Sequence, residues 1–143
     1  LLLELAAIRS AADMPYLGAR PFRAPHHTAS EAAMVGTERH LGEVTLAHGG
    51  ILFLDELPEF SRITLRTVDT VLREKSARRF WGGSRPCDVH LVAAMTPCPC
   101  GYTGYEGRVC RCTPEAVNRY RARIKGFMPE MRIFEMPLPG SFR

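Results

Sequence analysis

The chain has 143 residues, 45% of them hydrophobic, and a formal net charge of +4. This length and apolar content predict one modest core, in one domain or most of one. The longest apolar stretches, residues 51–54 and 91–95, are too short to span a bilayer, and no secretory signal is apparent. We therefore expect a cytoplasmic protein without membrane contact.

Both ends of the chain have the pattern of cuts through a longer protein. Residues 1–12 begin with Leu1 and read as the interior of a helix, and the last residues stop in a turn after Gly140. We expect one incomplete domain over residues 1–143. A true start at Leu1 is the alternative.

The first elements follow a segment rich in proline and glycine. A short helix is predicted over residues 28–35, because Thr28 can cap it and Glu31 has the spacing of a capping box. Residues 36–42 then form a turn or loop. Residues 43–46 alternate between polar and apolar side chains, which predicts a strand.

The middle of the chain has the clearest elements. Residues 51–54 form a continuous apolar run, typical of a strand buried on both faces of a parallel sheet. Residues 61–74 have one apolar face and a cap at Ser61, which predicts a helix. Residues 76–80 and 87–95 flank a Gly-Gly-Ser turn, which predicts a hairpin leading into a second buried strand.

A last helix is predicted to begin at Thr113, because Pro114 suits the first helical position and Glu115 the first turn. The elements then run strand, helix, strand, helix. That order predicts an α/β fold with a parallel sheet.

Two acidic residues, Asp55 and Glu56, directly follow the apolar strand 51–54, a pattern typical of a Walker B strand. A parallel strand delivers its carboxyl end to the crevice where ligands bind. Asp55 can there hold Mg²⁺, and Glu56 can polarise the water that attacks a γ-phosphate. A strand ending in solvent with two ordinary charges is the alternative. The second strand ends near the polar Thr96, which favours the catalytic interpretation.

Four cysteines, Cys98, Cys100, Cys110 and Cys112, lie in one loop over residues 98–112. Clustered cysteines in a reducing compartment more often hold metal than form disulfides. Four thiolates suit tetrahedral Zn²⁺ and can order a loop too small to hold itself. Packed thiols and disulfides remain alternatives. A fifth cysteine, Cys87, precedes the second strand and is predicted to be a core residue.

Several segments resemble one known family, the magnesium-chelatase-like AAA+ ATPases, and within it the ComM (YifB-type) branch. Residues 20–30 read RPFRAPHHTAS, and residues 42–60 contain LAHGGILFLDELPEF. Residues 91–102 read LVAAMTPCPCGY, and residues 110–115 read CRCTPE. The PHHTAS and paired CxC features favour this branch over true chelatase subunits.

The resemblance implies a P-loop NTPase core of the AAA+ type that binds ATP and Mg²⁺. It implies Asp55 and Glu56 as the Walker B acids and Thr96 at the sensor position. It also implies a hexameric ring for the intact protein and action on DNA, such as branch migration. In this branch a hairpin before the sensor strand points into the central pore. We therefore expect Arg78 and Arg79 to contact nucleic acid, with a solvated face as the alternative.

The chain also departs from the family pattern. It has no G-x-x-x-x-G-K-[ST] phosphate-binding loop, and the C-terminal lid is missing. Thr96 stands where relatives have asparagine. Met131 stands where they have an arginine, with Arg132 one residue out of register. A non-hydrolysing, zinc-stabilised remnant that binds nucleic acid or a AAA+ partner is thus the alternative to an ATPase piece.

The adjacent histidines His26 and His27 can ligate a metal or touch a nucleotide. Adjacent residues are expected to point to different sides, however. A structural turn is the favoured interpretation of this pair.

Overall fold

The structure is a computed structural model that describes residues 20–79, 83–105, 107–127 and 129–136. The helix predicted over residues 1–12 lies outside the described residues. The elements in chain order are β1 (Phe22–Arg23), α1 (Glu31–Val35), α2 (Glu43–Leu46), β2 (Ile51–Leu54), a short 3-10 helix (Leu57–Glu59), α3 (Arg62–Glu74), β3 (Ser76–Arg79), β4 (Gly83–Pro86), β5 (His90–Ala93) and α4 (Pro114–Ala122). No helix within these ranges has the length and apolarity needed to cross a membrane.

Three strands form a parallel sheet in the order β1-β2-β5. Strand β2 is central, with Leu52 opposite Arg23 on one side and opposite Leu91 on the other. The predicted α/β class with parallel strands is confirmed. Because the strands are parallel, the residues that follow each of them meet at one edge of the sheet.

The core lies on one face of this sheet. Leu52 and Leu54 are fully buried there, whereas Ile51 is 36% exposed and Phe53 is partly buried. The prediction of burial on both faces is therefore wrong for β2 in the described structure. The buried face packs against apolar side chains from the helices and the loop after β2, namely Met34, Val44, Leu57, Phe60, Leu65, Val68, Val71 and Leu72.

Helix α3 confirms the clearest sequence prediction. The Ser61 hydroxyl accepts a hydrogen bond from the Thr64 amide at 3.0 Å and caps the helix. Its apolar face, with Leu65 and Val68, is buried against the sheet. The helix ends at Lys75, whose backbone is left-handed with φ 49°.

The first two helices differ from the predictions. Helix α1 is capped by Ser30, which accepts from the Ala33 amide at 3.1 Å, and the Thr28 hydroxyl instead lies 2.9 Å from His26 Nδ1. Residues 43–46 form helix α2, and the predicted strand there is wrong.

Two contacts hold α2 in place. A Cβ on Gly42 would lie only 2.2 Å from the Gly36 amide nitrogen, so only glycine permits this close approach before α2. The Arg23 guanidinium donates to both carboxylate oxygens of Glu43, at 2.6 and 2.8 Å, and ties the helix to β1.

The predicted hairpin is present with a different second strand. Strands β3 and β4 pair antiparallel, with Ser76 opposite Pro86. The partner of β3 is therefore residues 83–86 and not residues 87–95, which instead contain β5 of the parallel sheet. Cys87 follows the hairpin and is buried in the core, as predicted.

Candidate nucleotide site and cysteine cluster

The two acidic residues lie at the carboxyl end of the central strand, as the sequence predicts. Asp55 and Glu56 directly follow β2, and both are exposed. Glu56 has a left-handed backbone with φ 51°, uncommon for a residue with a side chain, and its amide donates to Asp55 Oδ1 at 2.9 Å. This turn presents both carboxylates at the sheet edge where a metal-bound phosphate can approach them.

A histidine from the neighbouring strand connection contacts the second carboxylate. His27 Nδ1 lies 2.9 Å from Glu56 Oε2, and the His27 ring meets Phe60 edge-on at 6.4 Å between centroids. The expectation that His26 and His27 point to different sides is wrong, because their rings lie 4.0 Å apart between centroids. For His27 the sequence allows a nucleotide contact and favours a structural turn; it does not predict the contact of His27 with Glu56.

The third predicted site residue lies beyond β5. The Leu57 amide donates to the Ala94 carbonyl at 2.9 Å, and the Ala94 amide donates to Leu54 at 2.9 Å, so the ends of β2 and β5 are joined. The Thr96 hydroxyl donates to the Cys98 carbonyl at 2.9 Å and lies 2.9 Å from the Tyr120 hydroxyl. Thr96 thus connects the end of the sheet to both the cysteine loop and α4.

The four predicted cysteines converge. Their sulfur atoms all lie within 4.8 Å of one another, with Cys98 Sγ 3.4 Å from Cys100 Sγ and 3.7 Å from Cys110 Sγ. Four sulfurs bound to Zn²⁺ at 2.3 Å in a tetrahedron are about 3.8 Å apart. A disulfide requires about 2.05 Å, and all five cysteines are free thiols. The donor set and its spacing therefore fit a tetrahedral zinc ion.

Within the cluster, the pKa of Cys98 and the pKa of Cys112 are shifted in opposite directions. Burial opposes ionisation of Cys98, but hydrogen bonds from Thr103 and from the neighbouring thiols outweigh it and lower the pKa of Cys98 to about 5. The Cys100 amide lowers the pKa of Cys112, but the Cys100 thiol, burial and the other two thiols outweigh it and raise that pKa to about 12. Four thiolates repel one another at this spacing, and a divalent cation would remove that penalty.

The remaining predicted residues lie in separate parts of the described structure. Arg78 and Arg79 are in β3, where their backbones pair with Ser84 and Gly83 of β4. Met131 and Arg132 lie in a segment without regular secondary structure.

The sequence matches the family model described as magnesium chelatase, subunit ChlI, over residues 2–134. YifB of Escherichia coli (strain K12) is 47% identical over 131 residues, which cover 84% of this chain and 25% of YifB. Competence protein ComM of Haemophilus influenzae is 43% identical over 112 residues, which cover 75% of this chain and 22% of ComM. The chain spans about a quarter of the length of these curated relatives.

Among solved structures, NtrX from Brucella abortus in complex with ATP is similar with a TM-score of 0.49 and 26% identity. The match covers 82% of this chain and 28% of the NtrX chain. The family match extends over nearly all of the sequence and includes the strand with its two carboxylates and all four clustered cysteines. The chain belongs to the magnesium chelatase subunit ChlI family, with YifB and ComM among its relatives.

Proposed function

We propose that this chain is the hydrolysis and sensor part of a AAA+ ATPase that acts on DNA. The observation that carries the proposal is the pair of exposed carboxylates at the end of the central parallel strand, with Glu56 in contact with His27. The sequence contains no phosphate-binding loop of the GxxxxGK[ST] type. We propose that a segment outside these 143 residues supplies it in the intact protein, which assembles as a hexameric ring.

Each residue at the sheet edge has a proposed role. When bound, Mg²⁺ neutralises charge on the phosphates. Asp55 would hold that ion directly or through water. Glu56 would accept a proton from the attacking water and orient it. The contact with His27 would restrict the rotamers of the Glu56 carboxylate, whose side chain is 59% exposed.

Thr96 is proposed as the polar sensor beside these acids. Its hydroxyl is shorter than an asparagine amide and has one proton to donate. Thr96 donates that proton to the Cys98 carbonyl. To donate to a phosphate instead, Thr96 would have to break this hydrogen bond.

The test is ATP binding and turnover by this chain beside a longer form, namely the chain extended upstream in its source coding sequence by about one strand–loop–helix unit. Mg²⁺-dependent turnover by the longer form alone supports the proposal. A longer form that contains a phosphate-binding loop and binds ATP without hydrolysing it would contradict it. That outcome would favour the non-hydrolysing remnant, a second candidate that the occupied Thr96 hydroxyl also favours.

The cysteine loop over residues 98–112 is proposed to hold one structural Zn²⁺. The sulfur spacing supports it, and so does the position of the loop between β5 and α4. A loop of this size has little apolar surface to bury, and four metal–sulfur bonds would replace the missing core.

Arg78 and Arg79 in the β3–β4 hairpin are proposed to contact DNA phosphates. In the longer form, replacing both with alanine is expected to weaken DNA binding and to reduce the salt dependence of the binding constant by about two phosphate contacts. Binding titrations at several salt concentrations measure this slope. The matched control replaces two exposed arginines outside the hairpin, Arg119 and Arg132, and is expected to leave the slope unchanged. Equal slopes for both double variants would refute the assignment.

A further inference from the structure

We propose that the cysteine cluster controls the position of Thr96 at the sheet edge, with Tyr120 as the positioning residue. This rests on the zinc site proposed above. It adds a series of hydrogen bonds that links the proposed metal site to Thr96, the residue proposed to sense the nucleotide.

The direction of the hydrogen bonds is fixed by counting protons. A threonine hydroxyl has one proton, and that of Thr96 points at the Cys98 carbonyl, 2.9 Å away. The 2.9 Å contact between Thr96 and Tyr120 must therefore be donated by the tyrosine hydroxyl. Tyr120 donates to Thr96, and Thr96 donates to the backbone of the first cysteine ligand. Thr96 keeps this orientation only while Cys98 and Tyr120 both stay in place.

A second contact from α4 fixes the backbone next to Thr96. The Arg121 guanidinium donates twice to the Pro97 carbonyl, at 3.2 Å from Nε and 3.1 Å from Nη2. Two adjacent residues of α4, Tyr120 and Arg121, thus contact the adjacent residues Thr96 and Pro97. Tyr120 is only 7% exposed, whereas Thr96 is exposed, so the tyrosine is the buried partner of this hydrogen bond.

The cysteines close the other end of this arrangement. Cys112 directly precedes Thr113, which caps α4 by accepting from the Ala116 amide at 3.2 Å. A metal shared by Cys98 and Cys112 would therefore fix the start of α4 relative to the residue that accepts from Thr96. Residues 96–120 therefore form a closed loop of contacts. The hydrogen bond from Tyr120 to Thr96 joins its two ends, and the cysteine cluster joins its middle to Cys98.

Loss of the metal would remove the link between Cys98 and Cys112, and with it one of the two links in this loop of contacts. Helix α4 is short, and the side chains of its apolar side other than Tyr120 are only partly buried, so little else fixes its position. We expect Thr96 to lose both hydrogen-bond partners when Cys98 and α4 move apart. The metal content of the cluster would then determine how Thr96 meets a nucleotide.

The test is hydrogen–deuterium exchange of the reduced protein, with one equivalent of Zn²⁺ and after its removal by a chelator. Metal removal is expected to raise exchange about tenfold in the loop, in residues 94–98 and in α4. Residues 51–54 of β2 are expected not to respond. Tyr120→Phe is expected to keep one zinc per chain and the protection of the loop, yet to show raised exchange at residues 94–98 even with zinc bound.

The matched control is Tyr105→Phe, which removes a hydroxyl from the loop region without touching Thr96. It is expected to behave as the wild type. Thr96→Val tests the same bond from the other side, and the double variant with Tyr120→Phe is expected to be no worse than Thr96→Val alone. In the longer form, Tyr120→Phe is expected to lower kcat for ATP with KM and zinc content unchanged.

The outcomes separate the two proposals. If the protein binds one zinc but hydrogen exchange at residues 94–98 is the same with and without it, the connection to Thr96 is overturned and the zinc site stands. Absence of zinc from fully reduced thiols would overturn the zinc site and the connection with it. Additive effects of Thr96→Val and Tyr120→Phe would show that the two hydroxyls do not act on each other.

Discussion

In the longer form, Glu56→Gln is expected to reduce ATP turnover by about 100-fold or more while ATP still binds. Proton transfer by a positioned side chain contributes about 10²–10⁴-fold to a rate, and glutamine cannot accept the proton. The amide keeps the size of the side chain and leaves Asp55 in place for the metal. Steady-state turnover and equilibrium binding of a labelled nucleotide measure the two quantities separately.

The matched control for this prediction is Glu59→Gln. Glu59 lies close in sequence, but its carboxylate pairs with Arg123 at 3.2 Å, and both side chains are 41% exposed. An exposed pair of this kind contributes little, so turnover is expected to change less than about twofold. His27→Ala is expected to fall between the two variants, because it frees the Glu56 carboxylate without removing it. Turnover equal to wild type in Glu56→Gln would refute the assigned role.

The second large effect is expected from the cysteine cluster. Cys98→Ser replaces the buried ligand of the four and is expected to weaken zinc binding by about 10³-fold or more, since a hydroxyl is a poor zinc ligand. Because binding of a structural zinc is coupled to folding, the loop over residues 98–112 is expected to lose its order as well. Chelator competition measures the affinity. The thiolate-to-metal absorption of the Co²⁺-loaded protein counts the sulfur ligands.

The fifth cysteine supplies the control. Cys87 is buried in the core, where its thiol lies 3.6 Å from the Thr45 hydroxyl, and burial raises its pKa. Cys87→Ala is expected to lower stability by leaving a small cavity, yet to bind one zinc with unchanged affinity. A Cys98→Ser variant that binds zinc as tightly as Cys87→Ala would show that the cluster does not hold the metal.

Local signals predicted the elements with strong periodicity. The apolar run of β2 and the capped, amphipathic α3 were both placed correctly, because each carries its own start signal and face. The helix over residues 43–46 is predicted wrongly as a strand, because four residues are too few to distinguish the period of a helix from that of a strand. What decides there is the contact of Gly42 with the end of α1 and the ion pair between Arg23 and Glu43, and neither is readable from the segment itself.

In the candidate site, too, local sequence signals predict some residues, while contacts between distant segments decide the others. Asp55 and Glu56 are adjacent to their strand, and the cysteines have short spacings, so their convergence was predictable. The contact of His27 with Glu56 depends on two strand ends lying at one edge of a parallel sheet. Once β1 and β2 are recognised as parallel neighbours, that edge is the signal that could have placed His27. The bond from Tyr120 to Thr96 has no sequence signal, because it depends on how α4 lies against the sheet.

The left-handed backbone of Glu56 has a consequence for any attempt to stabilise this protein. Glycine adopts such a conformation freely, whereas a residue with a Cβ pays about 1 kcal/mol or more for it. A screen that rewards stability alone would therefore favour replacing Glu56, and it would discard the proposed catalytic carboxylate in doing so. A library for thermostable variants should keep this position fixed, because here the most stable sequence and the most active one are expected to differ.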